Sequence, residues 1–374
     1  MNYPLTQLGS VVEFLDHRRR PITAKDRAPG PIPYYGANGQ QDSVADYLFD
    51  EPLVLLAEDG GHFGDPLRRI AYRIDGKSWV NNHAHVLRPK SSIDRNYLCR
   101  VLENYDVRAH VTGTTRAKLT KAGAARIAFP LPPLDEQRRI AAILDKADEV
   151  RAKRREALAH LDTLPQSIFR GMFSDPTSIP SRWPVQSFEE IAPSRLGKML
   201  DKKAQSGDHK RAYIRNANVQ WFKIDLTNLF EMDFTEKDRE TFRLQQGDVL
   251  ICEGGEPGRA AIWHDTGLEC YYQKALHRAR PDHSRVTPQY VVHLLWHLSK
   301  GGGLADYVTS ATIAHLTGEK LKRLPVPVPP LEAQQEFSTR IAAVERLKEH
   351  HRTQLAELDT LFASLQHRAF KGEL

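Results

Sequence analysis

Cysteine is scarce: Cys99, Cys252 and Cys270 are the only three in 374 residues, and no C-x-x-C pair occurs. That excludes a disulfide framework and a thiolate zinc site, and it leaves three small core residues of a protein in a reducing cytosol. No apolar run is long enough to span a bilayer, and MNYPLTQLGSVVEF at the amino terminus lacks a basic stretch followed by an apolar one. A cytoplasmic protein without membrane contact is expected. Enzyme signatures are missing too. There is no G-x-G-x-x-G after a strand-like run, no G-x-x-x-x-G-K-[ST], and no H-E-x-x-H. Nor is there the Asn-Pro-Pro or Asp-Pro-Pro plus aromatic with which amino-methyltransferases hold a flipped base. His83-Ala84-His85 has no Cys or carboxylate in register to complete a metal set. Gly254-Gly255-Glu256-Pro257-Gly258 carries Glu256 and follows Glu253, which would repel phosphate, so it reads as a turn. Charge is nearly balanced, with 53 Lys and Arg against 47 Asp and Glu, a net charge of +6 and a pI near 9.1. Such an excess permits a polyanionic partner without requiring one.

What the chain does have is a long internal repeat. Pro-Leu-Pro-Pro-Leu-Asp-Glu-Gln ending at Gln137 recurs as Pro-Val-Pro-Pro-Leu-Glu-Ala-Gln ending at Gln334, an offset of 334 − 137 = 197 residues. The same offset carries Leu161-Asp162-Thr163-Leu164 onto Leu358-Asp359-Thr360-Leu361, Thr115 onto Thr312, Ala117 onto Ala314, Leu119-Thr120 onto Leu316-Thr317 and Arg126 onto Arg323. A repeat this long describes two half-molecules, not a solenoid. In each half, short strand-like runs come first, then a proline segment that stiffens the chain, then a long helix.

Two helical stripes follow the prolines. Ile140, Ile143, Ala147, Val150, Arg154, Ala157, Leu161, Leu164 and Ile168 recur at spacings of three and four. So do Phe337, Ile341, Val344, Leu347, His351, Leu355, Leu358, Leu361 and Leu365. Neither helix can bury such a stripe alone, and the other copy is the natural partner. Two copies related by a twofold axis would pair antiparallel, as a rod of roughly 54 Å for about 36 residues each. The residues expected to form the seam are Ile140, Ile143, Ala147, Val150, Leu161, Phe337, Ile341, Val344, Leu347 and Leu358. Pro165 predicts a kink in the first helix.

The globular halves share a frame. Tyr3-Pro4 matches Trp183-Pro184, Pro52-Leu53-Val54-Leu55-Leu56 matches Asp248-Val249-Leu250-Ile251, and His85-Val86-Leu87-Arg88-Pro89 matches His277-Arg278-Ala279-Arg280-Pro281. Their loops differ, as two readers of different targets would. Basic clusters, His17-Arg18-Arg19-Arg20 in one half and Arg195, Lys198, Lys202, Lys203, Lys210 and Arg211 in the other, could neutralise phosphates. Amide-rich loops lie beside them: Asn38-Gly39-Gln40-Gln41 and Asn81-Asn82-His83, then Arg215-Asn216-Ala217-Asn218, Arg259 and Gln273-Lys274. Asn and Gln pair with adenine and Arg with guanine, although Asn and Gly are also ordinary turn formers.

The two-copy frame, Pro132-Pro133-Leu134-Asp135-Glu136-Gln137 with Arg138 and Ile140, its partner Pro329-Pro330-Leu331 with Gln334, and Thr114-Thr115-Arg116-Ala117-Lys118-Leu119 together resemble the specificity subunit of type I restriction-modification systems. Helices ending near Phe169-Arg170-Gly171-Met172-Phe173 and Ala369-Phe370-Lys371-Gly372-Glu373-Leu374 add to the likeness, which covers essentially the whole chain. Ala333 departs from it, standing where the first copy has the acidic Glu136. The resemblance implies an α+β protein: two α/β target recognition domains joined by two long antiparallel coiled-coil helices with pseudo-twofold symmetry. The parts would be target recognition domains at 1–131 and 176–328, with spacer helices at 132–175 and 329–374. It implies duplex DNA as ligand, read at a bipartite asymmetric target, and docking of two methyltransferase subunits that bind S-adenosylmethionine. Restriction subunits using ATP and Mg would complete the assembly. No cofactor and no catalysis are implied for the chain itself. The alternatives are a self-contained DNA methyltransferase or nuclease, or a non-catalytic DNA-binding regulator.

Overall fold

A computed structural model describes residues 3–374 apart from 66–67, 104, 114–116, 178–180, 201–206 and 309–313. The chain forms two compact units, one of Met1–Glu156 with Arg352–Leu374, the other of Ala157–His351. Each long helix is therefore shared, beginning in one unit and ending in the other.

The first unit is built on two small sheets. In one, Val12–Phe14, Ala84–Pro89, Leu53–Ala57 and Ala71–Ile74 lie side by side in that order. In the other, the order is Gly39–Val44, Ile32–Gly36, Lys77–Val80 and Phe49–Asp50. Leu53–Ala57 is buried throughout, which explains its unbroken apolar sequence. Val54 and Leu56 face Tyr97, Leu98 and the long helices, whereas Leu53 and Leu55 face Phe49 and Val80 of the second sheet. The second unit repeats this scheme. Ser194–Leu196, Leu276–Ala279, Val249–Cys252 and Ala260–Ile262 form its first sheet, and Phe230–Asp233, Lys210–Ile214 and Tyr271–Tyr272 its second. Val249 and Ile251 turn towards the helices, and Leu250 and Cys252 towards the other sheet.

The repeated motif has a physical explanation. Leu5–Gln7 pairs with Ala128–Pro130, and Val185–Ser187 with Pro325–Pro327, closing each globular part just before its long helix. Leu131 N then bonds Pro4 O at 3.1 Å, and Val328 N bonds Pro184 O at 2.8 Å, so the paired Tyr3-Pro4 and Trp183-Pro184 openings occupy matching places. Gln137 is buried, accepting from Asp94 N at 2.7 Å and donating to Pro132 O at 2.8 Å and Ser92 O at 3.2 Å. Gln334 accepts from Thr287 N at 2.9 Å and donates to Pro329 O at 2.8 Å and Arg285 O at 3.0 Å. Asp94 and Thr287 are themselves the N-caps of Arg95–Leu102 and Pro288–Lys300. Each glutamine thus locks the start of a long helix to the capped start of the helix beside it.

The long helices are Leu134–Phe173 and Leu331–Lys371, about one turn longer than expected, and the first continues through Pro165. They pack together antiparallel. In the first unit Arg151 and Arg155 meet Asp359 at 2.6 and 3.0 Å, and Arg139 donates to Leu374 O at 2.6 Å. In the second unit Lys348 meets Asp162 at 2.9 Å, and Phe169 packs edge-on against Phe337 with centroids 5.6 Å apart. The seam needs correction. Ile140, Leu161, Phe337, Ile341 and Val344 are buried, and Ile143, Ala147 and Leu358 half-buried, but Val150 and Leu347 are 36% and 45% exposed. Leu164 and Leu361 are exposed as well. A stripe drawn at heptad spacing drifts about 20° per heptad around a straight helix, so it does not follow one contact face along the whole length. Ion pairs open to solvent on at least one side occupy its middle stretch. The stronger anchors are buried side chains at the ends, at roughly 1.5–3 kcal/mol each.

Candidate nucleic-acid interface

In both units three connections converge at one end of the second sheet. The first follows a central strand: Tyr35 pairs in parallel with Val80, and Ile214 with Tyr272. Immediately after each partner strand comes a three-residue turn, Asn81-Asn82-His83 or Gln273-Lys274-Ala275. Its first residue is held alike in the two units, Asn81 N to Tyr35 O at 3.0 Å and Gln273 N to Ile214 O at 3.1 Å. Its third residue accepts from a glutamate amide, Glu58 N to His83 O at 2.9 Å and Glu253 N to Ala275 O at 3.0 Å. That glutamate opens the third connection, the glycine loops at Glu58-Asp59-Gly60-Gly61 and Glu253-Gly254-Gly255.

The glycine loops are tied from both sides. Asn38 Nδ2 donates to Gly60 O and Asn216 Nδ2 to Gly254 O, each at 2.9 Å. From the other side Asp59 bridges to Lys118 and Gly254 to His315. Leu119 N bonds Glu58 O and Leu316 N bonds Glu253 O, both at 2.7 Å. Lys118 belongs to the 114–119 run noted from sequence and His315 was not noted, yet the offset of the repeat maps one onto the other. Close packing fixes Gly197, where a Cβ would lie 2.4 Å from the backbone Gln273 O, whereas one on Gly36 would meet only the mobile ends of the Gln41 and Asn81 side chains.

Most of the sequence-derived candidates serve this frame. Arg18 donates to Leu48 O at 2.7 Å and lies over the Phe49 ring, and Arg19 reaches Glu58 at 2.6 Å and Ala84 O at 2.7 Å. Asn81 is buried, donating to Gln41 Oε1 at 3.1 Å, and Gln40 donates to Asp42 O and Ser43 Oγ at 3.2 Å. His83 pairs with Asp59. In the second unit Lys198 bonds Asp233 O at 2.8 Å and Asp238 at 2.5 Å. Arg215 lies over Phe230 at 3.4 Å, and buried Asn218 donates to Asp225 O at 3.0 Å. Arg259 donates to Asn216 O at 3.2 Å. The side chains of Arg20, Asn82, Gln273 and Lys274, and those of His17, Arg195 and Lys210 in the basic clusters, have no hydrogen-bond or ion-pair partner among the described residues. Lys202, Lys203 and Thr114-Thr115-Arg116 lie outside the described residues.

Asp16, Glu58 and His85 bring possible metal-ligand atoms within 4.8 Å of one another. Their chemistry is already spent. Lys118 meets Glu58 at 2.9 Å alongside Arg19, and His85 Nε2 bonds Leu119 O at 2.7 Å. Burial alone would raise the Glu58 carboxyl, but hydrogen bonds from Lys118 and Arg19 outweigh it and hold it below the usual range. His277, in the matching place, bonds Leu316 O at 3.0 Å. These histidines brace the segments that tie the glycine loops. The three thiols are buried, and burial pushes Cys99 and Cys270 up to about 12 and Cys252 to about 11, so they are unreactive core groups.

A two-copy α+β chain with matched loop frames and differing loop residues has the architecture of a DNA specificity protein. The family model for the type I restriction modification DNA specificity domain matches residues 2–159 and 180–360, so the chain belongs to that family. A putative type I restriction enzyme specificity subunit of Haemophilus influenzae is 28% identical over 357 residues, covering 91% of this chain and 87% of its own. The EcoKI specificity subunit of Escherichia coli is 23% identical over 348 residues, 82% and 74% of the two chains. In fold, the type I system S subunit from M. genitalium superposes with a TM-score of 0.60 at 15% identity, covering 99% of this chain and 96% of its own. A type I R-M system structure concerned with complex assembly and conformational transition gives 0.60 at 18% identity, covering 100% and 98%. Among the described residues no helix is long and apolar enough to cross a membrane.

Proposed function

We propose that the chain reads a bipartite, asymmetric DNA sequence for a type I restriction-modification complex, with residues 1–131 and 176–328 each reading one half-site. It acts without catalysis of its own. It docks two methyltransferase subunits, which bind S-adenosylmethionine, and restriction subunits that use ATP and Mg join them. The observation that carries this reading is the duplicated three-loop frame, held by the same hydrogen bonds in both units while the side chains at its tips differ. A frame that is kept while its tips change suits two readers of unlike sequences.

The antiparallel long helices are the spacer in this proposal, setting the gap between half-sites. Co-expression with the methyltransferase of its system, followed by single-molecule methylation mapping, yields one motif of two unlike halves around a fixed gap. Seven residues inserted after Glu156, matched by seven after His351, lengthen each helix by about 10 Å with little change of facing, and the gap grows by about three base pairs. A continuous motif, or a gap unmoved by matched insertions, would falsify the reading.

A further inference from the structure

We infer that Asn82 and Lys274 are equivalent base-reading residues, one for each half-site, and that Asn38 and Asn216 are positioning residues holding the loop beside them. This rests on the proposed function above. The equivalence comes from the backbone. Asn81 and Gln273 donate the same backbone bond, to Tyr35 O and Ile214 O of matching parallel strand pairs, and the carbonyls of His83 and Ala275 accept the same glutamate amide. Asn82 and Lys274 are the residues between, at the tip of each turn, and both are exposed.

The neighbours of Asn82 cannot take the role without dismantling the frame, and beside Lys274 the half-buried Gln273 sits lower in its turn. Asn81 Oδ1 accepts from His83 N at 2.8 Å while its amide serves Gln41. His83 is engaged by Asp59, and Asn38 and Asn216 by the glycine loops. Neither Asn82 nor Lys274 has a side-chain partner among the described residues, and each projects from a turn anchored on both sides. A backbone already fixed leaves only the side chain to be ordered on binding, which suits specific contact. The two residues also differ in chemistry. An asparagine amide offers adenine N6 and N7 a matched donor and acceptor, whereas a lysine ammonium donates to guanine O6 and N7. The first unit therefore reads adenine at this position of its half-site, and the second reads guanine.

Reciprocal exchange tests the assignment. The full-length chain is expressed with the methyltransferase of its system as wild type, Asn82→Lys, Lys274→Asn and Asn82→Ala, and methylation is mapped over a library of randomised duplex DNA. Asn82→Lys should move one base of one half-site from adenine to guanine by about tenfold or more in preference, leaving the other half and the gap unchanged. Lys274→Asn should do the reverse in the other half. Asn82→Ala should flatten the preference at that single position. Thermal midpoints should match wild type, since both sites are exposed. If the variants keep the wild-type motif, lose both halves together, or change a base other than the expected one, the assignment is overturned. Should Asn82→Lys abolish methylation while folded, Asn82→Ala decides: an unaltered motif overturns it, and one degenerate position upholds it. A wild-type complex with no bipartite motif would instead sink the functional reading on which the inference stands.

Discussion

Replacing Gln137 by leucine removes a side chain that joins three backbone groups while nearly preserving its volume. The amide accepts from Asp94 N at 2.7 Å and donates to Pro132 O at 2.8 Å and Ser92 O at 3.2 Å, in a site with 1% exposure. Three net hydrogen bonds are worth about 3 kcal/mol, and buried groups left unsatisfied add about 1 kcal/mol or more, so Gln137→Leu should cost about 3–5 kcal/mol. That is a large part of the roughly 5–15 kcal/mol by which folded chains exceed their unfolded states. Urea titration followed by far-UV circular dichroism measures the loss. Hydrogen exchange should localise it, with protection falling over 92–102 and holding over 287–300, where Gln334 does the same work. Gln137→Glu places a titratable group in the same site. Its carboxylate would keep the bond from Asp94 N but face two carbonyl oxygens, so its pKa is raised in the folded state. The folded protein then binds more protons than the unfolded chain, and stability recovers as pH falls below 7 towards 5. A loss under 1 kcal/mol for the leucine variant, or a glutamate variant no worse than leucine at pH 7, would refute the locking role.

Arg100 is buried with Glu103 and also bonds Asp145 at 2.7 Å and Asp148 at 3.2 Å. Arg100→Ala leaves these carboxylates undercompensated and should cost about 3–5 kcal/mol, measured by denaturant titration at pH 7. His293 is pushed down to about 3 by burial, and neighbouring His297 to about 4 by burial and the charge of Arg170. The unfolded chain takes up these protons first, so stability should fall as pH drops from about 6.5 towards 3, at up to about 1.4 kcal/mol per pH unit for each histidine. His293→Phe should flatten that slope without loss at neutral pH, because His293 Nδ1 has no hydrogen-bond partner among the described residues. Phe169 is fully buried, stacked on His297 at 4.4 Å, so Phe169→Gln should cost about 3 kcal/mol or more. Its repeat counterpart Gln366 is half-buried, and Gln366→Ala should cost about 1 kcal/mol by the same titration.

Much of the frame was readable in the sequence because the repeat compares the chain with itself. Gln137 with Gln334, Tyr3-Pro4 with Trp183-Pro184, and His85 with His277 all occupy matching places. What stayed hidden depends on side-chain partners that no spacing encodes. The strand Gly39–Val44 reads GQQDSV, a polar run that scores as loop because both its amides and its edge face outward. Asn81 and Asn218 have the composition of groove readers, yet both are buried and committed to backbone or amide partners. The heptad also drew two exposed positions into the seam of the helix pair. Val150 and Leu347 fit the heptad, but the helices hold each other mainly through buried side chains near their ends and ion pairs between.

The two units differ in chemistry where the ends of the long helices are received, although the frame around them is the same. In the first unit the place is charged: Arg69, Arg73 and Arg100 meet Glu103, Asp145 and Asp148, and Gln366 donates to Glu103 at 3.4 Å. In the second it is aromatic, with Phe169 and Phe173 packed among Tyr290, His293, His297 and Phe337. Tyr97 and Tyr290 are matching residues, each donating its hydroxyl to a proline carbonyl, Pro130 O at 2.7 Å and Pro327 O at 2.6 Å. Three positions beyond them stand Arg100 and His293. A helix end bearing Phe169 placed against Arg100 and Glu103 would strip water from charges without replacing their partners, and Gln366 among the aromatic rings would bury an unsatisfied amide. Each mismatch costs several kcal/mol, so each helix end suits the receiving site of its own unit better than the other's.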